Sequence, residues 1–132
     1  MSTRSRARLV AWIAIAAATV GVFSTWTNAG EGTLNGTQGW NDGWLVLIVA
    51  AMALGWARSL ARGSWIGVAG VFGAAVVMGW TAVDDWLDGR EVFGATPGFG
   101  PFVIVAASIA LACASIAVAL SLVRESSQTT VA

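Results

Sequence analysis

Residues 101–123 read PFVIVAASIALACASIAVALSLV, and no charge interrupts them. A helix needs about 20 apolar residues to cross the hydrocarbon core of a bilayer, so this run is long enough to span. Its proline falls in the first turn, where a missing N–H costs the helix nothing. Working back along the chain, Trp65 to about Val83 forms a second run behind Ser64, and Trp44 to about Ser59 a third behind Asp42. Both preceding residues are of N-cap type, and the Asp42 carboxylate also suits the positive end of a helix dipole. Leu9 to about Trp26 is the fourth run.

The expected fold is therefore an all-α membrane protein. It is one domain over residues 1–132, with transmembrane helices at about 9–26, 44–59, 65–83 and 101–123. Composition agrees: 57% of residues are apolar and 11% charged, where a soluble domain carries about 25% charged residues. A soluble chain this short has too little interior to hide so much apolar surface.

The first run follows Arg4, Arg6 and Arg8, as a signal peptide would. Trp26 and Thr27 stand where a small-x-small cleavage site belongs, so a retained signal-anchor helix is the expectation. Two polar segments, 27–43 and 84–100, are expected as loops on one side, with residues 60–63 as a tight turn on the other. Asn35-Gly36 is a hairpin-type pair, allowing a short β-hairpin that turns there. Asn35-Gly36-Thr37 also matches a glycosylation sequon, a pattern of little weight in a bacterium. The tail from Arg124 is expected to be disordered.

Orientation follows from arginine, since the chain has no Lys or His. Arg4, Arg6, Arg8, Arg58, Arg62 and Arg124 fall at the termini or the 60–63 turn, while the two long loops hold only Arg90. The positive-inside rule then places both termini in the cytoplasm and the long loops outside. Trp26, Trp44, Trp65, Trp80 and Trp86 fall at run ends, as an interfacial aromatic belt requires. Trp26-Thr27 and Gly43-Trp44 are echoed by Trp80-Thr81 and Gly100-Pro101, a weak parallel repeat of helix, loop and helix. The bias toward Arg, Ala, Gly and Val fits a GC-rich bacterial genome.

Chemistry is sparse. An ionisable residue inside a membrane usually marks function, and the four runs hold none beyond their ends. Their polar groups are hydroxyls and one thiol. Thr19, Ser108, Cys113 and Ser115 are expected to bond local carbonyls or to pack. Cys113 is the only cysteine, which excludes an intrachain disulfide. Small residues let membrane helices approach closely, so Gly67, Gly70, Gly73, Ser108 and Ala112 form a candidate packing or oligomer face. Asp84-Asp85-Trp86-Leu87-Asp88-Gly89 is a poor calcium loop, since Trp86 blocks the third ligand position and Ala95 replaces the bidentate Glu. Trp40, Asp84, Asp85, Trp86 and Asp88 are instead a candidate outer-loop contact surface. Phe93 and Phe99 add aromatic rings to the same loops.

Several small four-helix families are excluded by residue. Small multidrug transporters need a Glu in the first helix, vitamin K epoxide reductase-like proteins a Cys-x-x-Cys pair, and claudins and tetraspanins a disulfide-bonded outer loop. In contrast, Trp26 closing the first run, the Gly/Thr/Asn loop, Gly39-Trp40-Asn41-Asp42-Gly43-Trp44-Leu45 and Gly98-Phe99-Gly100 carry a resemblance. The chain resembles a loose group of uncharacterised small four-helix membrane proteins of actinobacteria. That resemblance implies fold and source, and no activity.

The functional expectation is a non-enzymatic interaction or structural subunit of the bacterial cytoplasmic membrane. No catalytic, cofactor or metal site is expected. The expected partners are the lipid bilayer and either a second copy or another membrane protein, with no nucleic acid. The alternative is a small oligomeric channel or transporter, with Asp84, Asp85 and Asp88 concentrating cations at its outer mouth.

Overall fold

The computed structural model describes residues 1–29, 32–38, 41–93 and 96–131. Four helices dominate: α1 (Thr3–Phe23), α2 (Gly43–Ala61), α3 (Trp65–Phe93) and α4 (Gly100–Val131). All four are long and apolar enough to cross a membrane. They form a closed bundle in which α1 packs on α2 and α4, and α3 on α2 and α4.

Alanine builds the core. α1 buries Ala7, Ala11, Ala14, Ala18 and Val22; α2 buries Gly43, Val46, Ala50, Ala53, Ala57 and Leu60. These positions recur at steps of three or four, the seam of a left-handed bundle. α3 continues the pattern through Val71, Ala74 and Met78, and α4 through Ile104, Leu111 and Val118. Many of the large apolar side chains point away. Ile13, Val20, Ile48, Met52, Ile66, Val76, Ile109 and Leu120 are all exposed. Water would penalise so continuous an apolar exterior, whereas lipid accepts it. Lipid also removes the hydrophobic drive between helices, leaving close van der Waals packing of small residues to hold them.

The helices outrun their apolar stretches. α1 starts six residues before Leu9, and the Ser2 hydroxyl accepts the Ser5 N–H at 3.2 Å as its N-cap. α3 continues past Val83 to Phe93, so Asp84, Asp85, Trp86 and Asp88 lie on a helix and not in a loop. α4 runs on to Val131 where a disordered tail was expected. At about 1.5 Å per residue, α4 is about 48 Å long against a hydrocarbon core of about 30 Å. The bilayer limits how long a helix must be apolar, not how long it is helical.

The all-α expectation needs correction at one end. A three-stranded antiparallel sheet, in the order β2-β1-β3, covers the bundle there. β1 (Thr25–Ala29) pairs with β2 (Gly32–Asn35), and β3 (Thr96–Pro97) joins β1 from the other side. A hairpin is present, but Ala29 pairs with Gly32, so Asn35-Gly36 lies beyond β2 and does not turn it. The Asn35 side chain closes a separate turn by accepting the Thr37 N–H and hydroxyl at 2.9 and 2.8 Å.

Trp26 is the centre of this cap. It belongs to β1 and not to α1, which ends at Phe23 with the Ser24 N–H returned to Val20 and Gly21 carbonyls. The β1–β2 register shifts between Thr25 and Thr27, and such a bulge re-aims a side chain. The indole is 2% exposed and donates to the Gly21 carbonyl at 2.8 Å. It is no interfacial belt residue. A Cβ on Gly36 would sit 2.6 Å from its ring, and one on Gly100 2.7 Å from its Nε1. Only glycine leaves room for the indole at both places. Trp80, its supposed counterpart, is 70% exposed within α3, so the sequence repeat has no structural equivalence at this position.

At the opposite end, Arg4 forms an ion pair with Glu125 and its guanidinium lies over Gly63. Gly63 has φ +72°, a conformation glycine adopts without penalty, and makes the α2–α3 turn. The N-terminus, this turn and the C-terminal part of α4 therefore meet at one end.

Candidate functional site

The five residues of the candidate packing face do not form one face. Gly67 is the α2–α3 contact: a Cβ there would stand 2.7 Å from the Leu60 Cα. Gly70 lies under the Trp56 ring, 2.7 Å from its Cδ1 by the same measure. Nothing lies within 4 Å in front of Gly73. It opens into an apolar groove of about 560 Å³ between α2 and α3, walled by Val49, Met52, Trp56, Ile66 and Val77. Ser108 and Ala112 lie on the other side of α3. Ser108 is buried and faces Gly79, while Ala112 lines a second groove of about 360 Å³ between α3 and α4.

This division predicts opposite results for two neighbouring glycines. Gly67→Ala forces α2 and α3 apart and is expected to cost about 1–3 kcal/mol. Gly73→Ala should stay within about 0.5 kcal/mol. Thermal unfolding in mild detergent measures both.

The intramembrane hydroxyls bond within their own helices. Thr19 donates to Ile15, Thr81 to Val77, Ser108 to Ile104 and Ser115 to Leu111, all at 2.8–3.0 Å. Cys113 is exposed on the lipid-facing surface.

The outer contact surface is likewise dispersed. Trp40 lies outside the described residues. Asp84 and Asp88 are exposed on α3, as is Phe99 ahead of α4. Trp86 is half-buried, its ring 6.2 Å from that of Phe102 at 57°. The side chain of Phe93 is outside the described set.

Asp85 is 7% exposed and accepts the Asp42 N–H at 2.6 Å. Asp42 does occupy the N-cap of α2, but its side chain makes no capping bond. The carboxylate that serves this helix start comes from α3, and it ties the sheet-bearing connection to the bundle. Around it, Asn41 donates to the Asn35 carbonyl at 2.9 Å, and Gly43 N–H to the Gly36 carbonyl at 2.8 Å. Asp85→Ala leaves the Asp42 N–H without its acceptor, a loss of about 1.5–3 kcal/mol for a bond to a charged group. Hydrogen exchange at the Asp42 amide should accelerate, and Asp85→Asn, which keeps an acceptor oxygen, should recover much of the protection.

Sequence reading missed this bond and the alanine seam, although both leave a signal. Asp85 follows Met78 by seven residues, so it continues the α3 seam. Among the described residues, no three His, Cys, Asp or Glu side chains are placed to share a metal ion.

Four helices long and apolar enough to cross a membrane, with a three-stranded sheet at one end, give the described residues the form of a multi-pass membrane protein. Compared with protein-family models, curated proteins and solved structures, the chain matches none.

Proposed function

We propose that the protein is a non-enzymatic interaction or structural subunit of a bacterial cytoplasmic membrane, with both termini in the cytoplasm and the sheet cap outside. The groove at Gly73 is the observation that carries the proposal. Elsewhere along the described part of α3, Gly67 and Gly70 are covered by α2 and Gly79 by Ser108 of α4. At Gly73 the backbone is bare, and a neighbouring membrane helix can approach it closely, as small residues allow. The hydroxyls of the spans are bonded to their own carbonyls, so packing surface is what the bundle offers a neighbour. Arginine at the Arg4–Gly63 end supports the orientation. The Arg-only basic set and the resemblance to small actinobacterial membrane proteins support the bacterial source.

The oligomeric channel or transporter has weaker support. Asp84 and Asp88 are exposed where a mouth would need them, but Asp85 is engaged with Asp42. Loss of ion flux in liposomes when Asp84 and Asp88 become Asn would favour the channel.

Affinity purification in mild detergent, with mass spectrometry, tests the proposal. Wild-type protein is expected to retain a stoichiometric membrane partner or a second copy. Gly73→Leu should release it while the bundle stays folded. Retention by a folded Gly73→Leu variant, or purification as a lone monomer, would count against it.

A further inference from the structure

Where α1 and α2 meet at the Arg4–Gly63 end, Arg8, Arg58 and Arg62 line a notch of about 450 Å³ with Trp12 and Ala61. Trp12 follows Arg8 by one helical turn and is 44% exposed. Arg62 donates to the Ser59 hydroxyl at 3.2 Å. Arg8 and Arg58 have no hydrogen-bond or ion-pair partner within the described chain. Glu125 is taken by Arg4. The other described acidic side chains, Asp42, Asp84, Asp85 and Asp88, lie at the far end of the bundle. Three guanidinium groups therefore converge on one concavity with no carboxylate to balance them.

Its depth identifies the occupant. The notch lies where the apolar runs of α1 and α2 give way to arginine, which in a bilayer-spanning bundle is the level of the phospholipid headgroups. Guanidinium groups bind phosphate through paired N–H donors, and basic pockets between membrane helices hold anionic headgroups. We propose that this notch binds the phosphate of an anionic glycerophospholipid, with Arg8, Arg58 and Arg62 on the headgroup and Trp12 against the start of the acyl region. A soluble phosphate would find the same charge but none of the apolar contact at Trp12. The site is independent of which side of the membrane this end faces.

Native mass spectrometry of the full chain in mild detergent, titrated with phosphatidylglycerol or phosphatidylcholine, tests the assignment. Each arginine near a charged headgroup contributes about fivefold. Wild type should retain phosphatidylglycerol over phosphatidylcholine at least tenfold, and Arg58→Gln/Arg62→Gln should lose about 25-fold of that affinity. Arg6→Gln/Arg124→Gln, exposed at the same end but outside the notch, should change it little. Equal retention of the two lipids in wild type would overturn the proposal without recourse to any variant. So would equal losses in the two double variants, which would show diffuse surface charge. Displacement of the lipid by millimolar inorganic phosphate would overturn the lipid assignment in favour of a soluble anion.

Discussion

Trp26→Ala is expected to be the most damaging single substitution outside the helices. The indole fills the space bounded by Gly21, Gly36 and Gly100, so its removal leaves a cavity that no neighbouring side chain can close. A buried Trp→Ala change costs about 3–5 kcal/mol. The loss should spread beyond the ring. The Trp26 carbonyl accepts the Gly98 N–H at 2.7 Å, so the same strand residue holds the connection to α4. Trp26→Phe keeps most of the ring and loses the N–H bond to Gly21, about 1 kcal/mol. Thermal unfolding in detergent should rank wild type, Phe, then Ala. Hydrogen exchange should show Gly36 and Gly98 amides losing protection in the Ala variant. An Ala variant as stable as the Phe variant would show that the indole's volume does not hold the cap.

The second large effect is expected in the alanine seam. Ala53 is fully buried on α2, and a leucine there must push α2 from its neighbours. Overpacking costs about 1–3 kcal/mol in a soluble core. The cost should reach or exceed the upper end here, because close backbone approach is what holds the bundle. Ile48→Ala makes the opposite change on the same helix. Ile48 is 58% exposed to the lipid-facing side, and its truncation should stay within about 0.5 kcal/mol. Paired unfolding measurements on the two variants in mild detergent check both expectations.

The four spans are legible in the sequence because lipid demands long apolar runs and little else does. The bundle's internal geometry is less so. Attention to glycine finds Gly67, which does set a helix contact, but assigns it to the same face as Gly73, which opens outward. The spacing of Ala50, Ala53 and Ala57 carries the seam more clearly than any glycine. The helix ends are misjudged at Val83 and Arg124 because apolarity stops there while backbone hydrogen bonding continues. Trp26 is misplaced for a related reason. A tryptophan at the end of an apolar run has the composition of an interfacial anchor, and only the bulge in β1 turns it inward. β3 is two residues long, too short for any alternation to announce it. Asp85 lies in a polar run beside the exposed Asp84 and Asp88, so composition hides it and only its seven-residue step from Met78 points inward.

Cysteine accessibility in intact cells tests the membrane arrangement most directly. In a Cys113→Ser background, single cysteines at Gln38, in the turn after β2, and at Ser127, on the last turns of α4, mark the two ends of the bundle. Both positions are exposed. A membrane-impermeant maleimide should label Gln38→Cys in intact cells and Ser127→Cys only after permeabilisation. Labelling of Ser127→Cys in intact cells, alone or as fast as Gln38→Cys, would contradict a four-span bundle with its arginine-rich end in the cytoplasm.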